Sequence, residues 1–249
     1  MRCSTAVLSF VVAGCLVTSC SPYNRMRRDF DNTQSSVGYL HTSAPGVRKK
    51  DVRVFVAEPV LTDPKFAATA GVFKGQSSVT PAIIYYGWDY NWLCKVGPQH
   101  IKEKLPQFIS SSFVTEAKRS GNFYASTSQD QANYRVEITV DSVSAGGPFQ
   151  HKGYFLYLFL AYAISNEWKA GPGTAYSRIH YKVWKGDELV LEDDVSSESS
   201  TPQLKMRVTE RKFHENYRTN LVDQLSETFR HNIEQIVSDV NTLLDAPGS

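Results

Sequence analysis

The sequence contains few cysteines and almost no excess charge. Four cysteines occur in 249 residues, and the net charge is +2. Cys3, Cys15 and Cys20 lie at the N-terminus, so Cys94 would remain alone in a chain shortened there, and no disulfide framework is expected. A near-neutral chain lacks the concentrated basic surface that binds phosphate backbones. Nucleic acid is therefore not expected as a partner.

The motifs of several common chemistries are also missing. No pair among the six histidines has the i, i+4 spacing with an intervening glutamate that a zinc-hydrolase helix needs. There is no G-x-x-x-x-G-K-[ST] phosphate loop and no G-x-S-x-G nucleophile elbow. Each histidine is expected at the surface, and Glu192–Asp194 is interpreted as a solvated strand end with Glu192 and Asp194 on one face. We therefore expect no catalytic residue, no metal and no cofactor.

No apolar run is long enough to cross a membrane as a helix, which takes about 20 residues. The first run, Ala6–Val17, follows the positive charge of Arg2 and precedes the small residues Thr18 and Ser19. A positive residue, a short apolar core and small residues are the pattern of a secretory signal that is later removed. Residues 1–19 are therefore predicted to be a signal peptide.

The end of this segment resembles the lipobox of bacterial lipoproteins. Val17–Cys20 (VTSC) places an apolar residue and two small residues before a cysteine. In lipoproteins such a cysteine is diacylated and becomes the mature N-terminus. Val12–Cys15 (VAGC) also fits, but cleavage there would leave an apolar core of only about eight residues. The resemblance implies lipid attachment at Cys20, and Ser21 after it implies export to the outer membrane, facing the periplasm.

Residues 20–50 are predicted to be the lipidated N-terminus and a flexible linker. Ser21–Lys50 mixes charge, Ser, Gly and Pro without a sustained apolar period. About thirty flexible residues have a root-mean-square reach of about 30 Å, so the folded part would work close to the membrane. The remaining residues, 51–246, suffice for one domain with a substantial core.

Three segments of this domain have the pattern of strands. Asp51–Pro59 has the β-branched and aromatic content of a strand, and Asn133–Ala145 reads as a second strand with imperfect alternation. Ala175–Ser199 alternates on both sides of Gly186 and Asp187, which predicts a hairpin.

Helical periodicity predicts two long helices. One lies before Gly121 and either starts at Pro106 or is kinked there, and the other runs from about residue 215 to 244. The predicted fold class is α+β, with a single mixed, mostly antiparallel sheet, two main helices packed on one face, and aromatic-rich inserts.

Two segments, Pro81–Cys94 and Gly153–Trp168, hold a large share of the aromatic residues. The second contains an uninterrupted apolar run, Tyr154–Ile164, that is too short for a spanning helix but long enough for a tilted transmembrane strand. One interpretation is a buried core element. The other is an exposed surface that contacts a partner or the membrane interface, where aromatic residues are favoured. In the second interpretation the contact residues are Trp88, Trp92, Tyr154, Phe155, Tyr157, Phe159 and Tyr162.

The order of elements resembles that of a group of envelope lipoproteins with a small α/β domain. The resemblance rests on Cys20, on VRVFVAEP at Val52–Pro59, on the helix end at Phe108–Gly121 and on YRVEITV at Tyr134–Val140. The group includes proteins with a domain like the N-terminal domain of the Tol-Pal propeller protein. Curli-secretion lipoproteins, activators of peptidoglycan synthases and auxiliary lipoproteins of ABC-type lipid transporters are among them. The resemblance implies a membrane-anchored, non-enzymatic adaptor or accessory subunit of a transport, secretion or wall-synthesis complex.

A second hypothesis is an oligomeric outer-membrane lipoprotein that forms a channel or remodels the membrane. It requires a homo-oligomer whose aromatic segments form transmembrane hairpins. Tyr154–Ile164 lacks the polar alternation of pore-forming strands, which counts against it. A third hypothesis, a hydrolase of wall or lipid, finds no catalytic constellation in the sequence.

Overall fold

The computed structural model describes residues 21–40, 49–82, 84–206 and 209–246. These residues form an α+β fold in which the strands belong to one mixed, mostly antiparallel sheet. The helices are α1 (Pro22–Asp31), α2 (Pro64–Ala68), α3 (Leu105–Arg119) and α4 (Glu210–Asp245). The strands are β1 (Arg53–Val56), β2 (Val60–Leu61), β3 (Gly71–Lys74), β4 (Ser78–Pro81), β5 (Tyr85–Lys95), β6 (Tyr124–Ser126), β7 (Tyr134–Leu158), β8 (Ala161–Ala170), β9 (Thr174–Lys185), β10 (Glu188–Ser200) and β11 (Leu204–Lys205).

Strand β7 is 25 residues long and organises the sheet. Its first half pairs in parallel with β1 and antiparallel with β9, which in turn pairs with β10 through the predicted hairpin. Its second half leaves these neighbours and pairs antiparallel with β5 and β8. We name this second part, formed by β5, β8 and residues 146–158 of β7, the extension.

A β-bulge explains the imperfect alternation that the sequence shows along β7. The register with β9 shifts between Val140 and Ser142, which leaves Asp141 as the extra residue. Val136 is buried before the bulge and Val143 after it. Because side chains alternate with period two, one extra residue moves the buried set from even to odd positions. The same face of the strand therefore stays buried into the extension.

Glycines allow helix α4 to approach β7 closely where the extension begins. A Cβ at Gly147 would lie 2.5 Å from Tyr217 Oη and 2.7 Å from Gly173 Cα, closer than packed atoms come. The same Tyr217 hydroxyl donates a hydrogen bond of 3.1 Å to the carbonyl oxygen of Pro148. The base of the extension is thus fastened to α4.

The long C-terminal helix is confirmed and begins earlier than predicted, at Glu210. It contacts β7, β9 and β10, and Leu225 is among its fully buried residues. Polar contacts fix its register on the sheet: Tyr181 Oη donates to Asp239 (2.7 Å), and Asn232 Nδ2 donates to Ser177 Oγ (2.9 Å).

Helix α3 starts at Leu105 with Pro106 in its first turn, so the proline begins the helix and does not kink it. Proline is tolerated there because first-turn N–H groups have no partner within the helix. The ring of Phe108 meets that of Phe229 in α4 at a centroid distance of 6.3 Å. The helix also contacts β1 and β6.

Helix α1 corrects the expectation of a flexible linker over residues 22–31. Met26 and Phe30 are fully buried, and the helix packs against α4 and β3. The buried Arg218 of α4 donates hydrogen bonds to the carbonyl oxygens of Asp29 and Phe30 (3.3 and 3.2 Å). The segment is ordered because two apolar side chains one helical turn apart reach the core, which a scan for long apolar periods does not detect. The predicted signal peptide, residues 1–19, and Cys20 lie outside the described residues.

Candidate interaction surface

The apolar run Tyr154–Ile164 forms the end of the extension as a hairpin of β7 and β8. Leu158 pairs with Ala161, so Phe159 and Leu160 form the whole turn. Phe159 has φ of 46°, in the left-handed region that tight hairpin turns use and bulky residues rarely adopt. Phe159 is 87% exposed and Leu160 is fully exposed. The fold thus places two large apolar side chains at its outermost turn.

We name Tyr154–Ile164, together with Ile84–Tyr86 beside it, the aromatic tip. The two parts belong to one sheet, since Tyr86 pairs with Phe155 across β5 and β7. Exposed large side chains dominate this surface; they are Ile84, Tyr85, Tyr86, Tyr154, Phe155, Tyr157, Leu158, Phe159, Leu160, Tyr162 and Ile164.

A row of charged residues marks the inner boundary of the aromatic tip. Asp89, Lys152 and Glu167 are direct neighbours across β5, β7 and β8. No charged residue occurs between Lys152 and Glu167 in the sequence. Because successive side chains point to opposite faces of a strand, the uninterrupted apolar run makes both faces of the tip apolar. The tip is therefore exposed in the described fold, so the interpretation of this segment as a buried core element is wrong.

Of the two tryptophans predicted as contact residues, Trp92 lies in the lower half of the extension, and Trp88 lies between the charged row and the tip. Trp92 is only 4% exposed and packs against Phe149 and Trp168, with ring centroids 5.8 and 6.2 Å away. It is a core residue, because Phe149 and Trp168 beside it pack in turn against His214 of α4. Trp88 is half-buried, and its Nε1–H donates to His151 Nε2 over 3.0 Å.

Three histidines, His100, His151 and His214, are buried, contrary to the expectation that each lies at the surface. The ring of His151 lies parallel to that of Trp168 at a centroid distance of 3.6 Å, and His214 meets the same indole edge-on at 5.5 Å. Burial lowers the pKa of all three imidazoles. His151 Nδ1 and His214 Nε2 are buried without a hydrogen-bond partner among the described residues.

Two of these histidines hold α1 against the rest of the domain. His214 Nδ1 lies 3.1 Å from Asp29 Oδ2, and His100 Nε2 lies 3.2 Å from Asp31 Oδ1. The two aspartates oppose the effect of burial on the imidazole pKa but do not outweigh it. The first helix after Cys20 is therefore fixed to α4 and to the turn at residues 98–100.

Comparisons with known proteins give no family for this chain. The sequence matches no protein-family model and no curated protein. The crystal structure of a Xanthomonas campestris protein described as DUF330 is similar with a TM-score of 0.45 and 10% identity, over 85% of this chain and 95% of that one. A neuraminyllactose-binding hemagglutinin homolog from Helicobacter pylori gives a TM-score of 0.33 and 7% identity, over 84% and 93% of the two chains. Both TM-scores are low, and neither likeness carries weight for fold or function.

The carboxylates of Glu192–Asp194 take part in surface ion pairs. Glu192 lies 3.1 Å from both Lys182 and His180, and Asp194 lies 3.1 Å from Arg178. Both acids face the same side of the sheet, as the alternation predicts. The hydrogen bond from Lys182 lowers the pKa of Glu192, and the one from Arg178 lowers the pKa of Asp194.

Within the described ranges of the chain, no group of three or more His, Cys, Asp or Glu residues is arranged to hold a metal ion. Of the helices that the structure describes, none has the length and apolar character needed to cross a membrane.

Proposed function

We propose that this protein is a lipid-anchored, non-enzymatic accessory subunit of an envelope transport, secretion or wall-synthesis complex. The observation that carries the proposal is the aromatic tip, whose exposed side chains are apolar on both faces of a hairpin. Soluble monomers rarely expose large contiguous apolar patches, and such patches mark contacts with proteins or membranes. The tip is therefore the surface through which the domain meets the envelope.

The proposal places the lipid on Cys20 and the protein at the outer membrane, facing the periplasm. It rests on the lipobox-like Val17–Cys20, which directly precedes Ser21 and helix α1. Because α1 is docked on the domain, a lipid at Cys20 would hold the domain directly against the membrane and not at the end of a tether of about 30 Å.

We also infer that α3 and α4 cover the same face of the sheet formed by β1, β7 and β9. Val136 and Ile138 are buried on that face, and Tyr181 on it donates to Asp239 of α4. The Phe108–Phe229 contact joins the two helices. The opposite face, which carries the Arg178–Asp194 ion pair, would then be open to solvent.

The test is capture of the complex from cells after chemical crosslinking. Wild type is compared with a variant carrying Phe159→Ser and Leu160→Ser, and with the matched control Leu40→Ser, which changes an equally apolar residue that is 78% exposed. Wild type and the control are expected to retain the same envelope proteins, and the tip variant is expected to lose them. Equal capture by all three chains would refute a role for the tip, and the absence of any specific envelope protein would refute the adaptor function.

An oligomeric channel-forming or membrane-remodelling lipoprotein is the second candidate. One observation favours it: among the described residues, the outer edge of β8 has no strand partner from Ala161 to Glu167, and a second copy could pair there. The lack of polar alternation in Tyr154–Ile164 still opposes it. Ring-shaped homo-oligomers in detergent extracts would favour this candidate, and a strictly monomeric extract would exclude it.

A further inference from the structure

Strand β3 runs toward the aromatic tip alongside β5. Gly71 at its start pairs with Lys95, and Lys74 at its end pairs with Trp92. From Trp92, β5 continues to Tyr85 in the tip. Seven residues of extended strand cover about 24 Å. The end of β3 at Lys74 is therefore about one strand length from the tip.

Helix α1 packs on β3 and runs antiparallel to it, so the start of the helix lies near the end of the strand. Tyr23 in its first turn donates from Oη to the carbonyl oxygen of Val72 (2.9 Å), and Lys74 Nζ lies 4.7 Å from the centre of the Tyr23 ring. At the other end of the helix, Asp31 Oδ1 would lie 3.9 Å from a Cβ at Gly71. The N-terminal end of α1 therefore faces the tip. Ser21, which follows Cys20 in the sequence, therefore lies at the end of α1 that faces the exposed apolar hairpin.

We propose that the aromatic tip inserts into the lipid bilayer that also holds the N-terminal lipid, so that the domain is attached to one membrane at two points. The inference rests on the proposed lipid at Cys20 and names lipid as the occupant of the tip. The tip is apolar on both faces and at the turn, so a protein surface that contacted one face would leave the other face exposed to water. Acyl chains surround an inserted element on all sides, so they match this distribution of apolar surface.

The dimensions of the tip fit one leaflet of a bilayer. Five residues separate Tyr154 from Phe159, which is about 17 Å of extended strand, and the hydrocarbon core of a bilayer is about 30 Å thick. The charged row of Asp89, Lys152 and Glu167 would then lie at the level of the headgroups. Trp88, one position beyond that row, would lie at the interface, where tryptophan is favoured.

The edges of the tip limit how deeply it enters. On one side, β4 pairs with β5 from Tyr86 to Asp89, and β4 itself pairs with no further strand among the described residues. On the other side, the edge of β8 from Ala161 to Glu167 has no strand partner within the described ranges. Unpaired backbone N–H and C=O groups are costly in hydrocarbon. The turn at Phe159 and Leu160 therefore enters the acyl region, while the lower part of β8 stays at headgroup level, where water reaches its edge.

The first test measures vesicle binding without the N-terminal lipid. A chain that begins at Ser21 keeps every residue of the described fold and removes both residues 1–19 and Cys20. Its flotation with vesicles of phosphatidylethanolamine and phosphatidylglycerol is compared with that of Phe159→Ser/Leu160→Ser and of Leu40→Ser in the same chain. The tip variant is expected to bind at least tenfold more weakly, and the control is expected to bind as the parent does. Equal urea midpoints for the three chains ensure that folding is not the cause.

The second test measures depth. In the chain with Leu160→Trp, brominated acyl chains are expected to quench the added fluorescence, whereas Leu40→Trp gains no such quenching. Equal vesicle binding by the parent chain and the tip variant would overturn the inference. Fluorescence of Leu160→Trp that brominated lipid does not quench would also overturn it. Crosslinks from position 160 to a second copy or to a protein partner, without lipid quenching, would overturn it as well. If the chain did not bind vesicles but captured envelope proteins through the tip, the inference would fail and the accessory function would stand. If it bound vesicles through the tip but captured no envelope protein, the accessory function would fail and only the membrane contact would stand.

Discussion

The imidazole of His151 lies on the indole of Trp168, with ring centroids 3.6 Å apart and planes 4° from parallel. Both residues belong to the extension, on β7 and β8. The same indole meets His214 of α4, which in turn lies 3.1 Å from Asp29 of α1. One continuous set of contacts therefore joins the base of the extension to the helix that follows the proposed lipid site.

Stability is expected to fall in mild acid. Burial lowers the pKa of His100, His151 and His214 in the folded protein, so the unfolded chain takes up protons at higher pH than the folded one. The stability that these neutral histidines provide is present above the unfolded value of about 6.5 and is lost as pH falls through the lower folded values. Urea unfolding followed by circular dichroism is expected to give a lower midpoint at about pH 5 than at about pH 7.5.

A histidine variant tests the origin of this dependence. His214→Gln is expected to flatten the change in midpoint with pH, because it removes one of the three imidazoles whose pKa burial lowers. A urea midpoint that is higher at about pH 5 than at about pH 7.5 would contradict a stabilising role for the neutral, buried histidines.

Removal of the buried side chains of α1 is expected to destabilise the whole domain. Met26→Ala or Phe30→Ala deletes a fully buried side chain, and such deletions cost about 2–5 kcal/mol of unfolding free energy. Arg27→Ala on the exposed side of the same helix is expected to change it by less than about 0.5 kcal/mol. Denaturant titration measures all three. If Met26→Ala and Phe30→Ala behaved like Arg27→Ala, residues 22–31 would be the free linker that the composition suggests.

Because α4 approaches β7 closely at Gly147, a methyl group added at that residue is expected to destabilise the fold. Gly147→Ala is expected to lower the unfolding free energy by about 1–3 kcal/mol, because the new Cβ meets Tyr217 Oη at 2.5 Å. Adding Tyr217→Phe removes that oxygen and is expected to recover part of the loss. A double-mutant cycle measures the coupling, and purely additive effects would show that the two residues do not clash.

Phe159 in the turn of the aromatic tip is expected to contribute to vesicle binding and little to the free energy of unfolding. Phe159 has φ of 46°, a conformation that costs a non-glycine residue about 1–2 kcal/mol. In Phe159→Gly, relief of this cost offsets the larger entropy of the unfolded chain, so stability is expected to stay within about 1 kcal/mol of wild type. Vesicle binding is expected to fall in the same variant. Phe155→Gly within the strand serves as the contrast, since glycine there loses packing and destabilises; a large loss of stability in Phe159→Gly would contradict the turn geometry.

Local patterns predicted the elements whose stabilisation is also local. Helices α3 and α4 and the hairpin around Gly186 have apolar periods or turn residues within one short window, and the structure confirms each of them. The signals for α1 were present but weak. Ser21 and Pro22 form a helix start, and Tyr23, Met26 and Phe30 form a short stripe.

The buried histidines required long-range information. His151 continues the odd-numbered buried set of β7 only after the bulge at Asp141, which the sequence alone does not reveal. His214 lies seven residues before Leu221 on the buried stripe of α4, and the predicted helix began one residue too late to include it. The apolar run at Tyr154–Ile164 was ambiguous because a hairpin that is apolar on both faces has neither a strand period nor a helix period.

The most direct test of the account is metabolic palmitate labelling of wild type, Cys20→Ala and Cys15→Ala, followed by membrane fractionation. Cys15 belongs to the competing lipobox-like stretch and is the matched control. Wild type and Cys15→Ala are expected to be labelled and membrane-bound, and Cys20→Ala is expected to carry no label. Label that persists in Cys20→Ala, or an unlabelled and soluble wild type, would contradict the lipid anchor on which the proposed function depends.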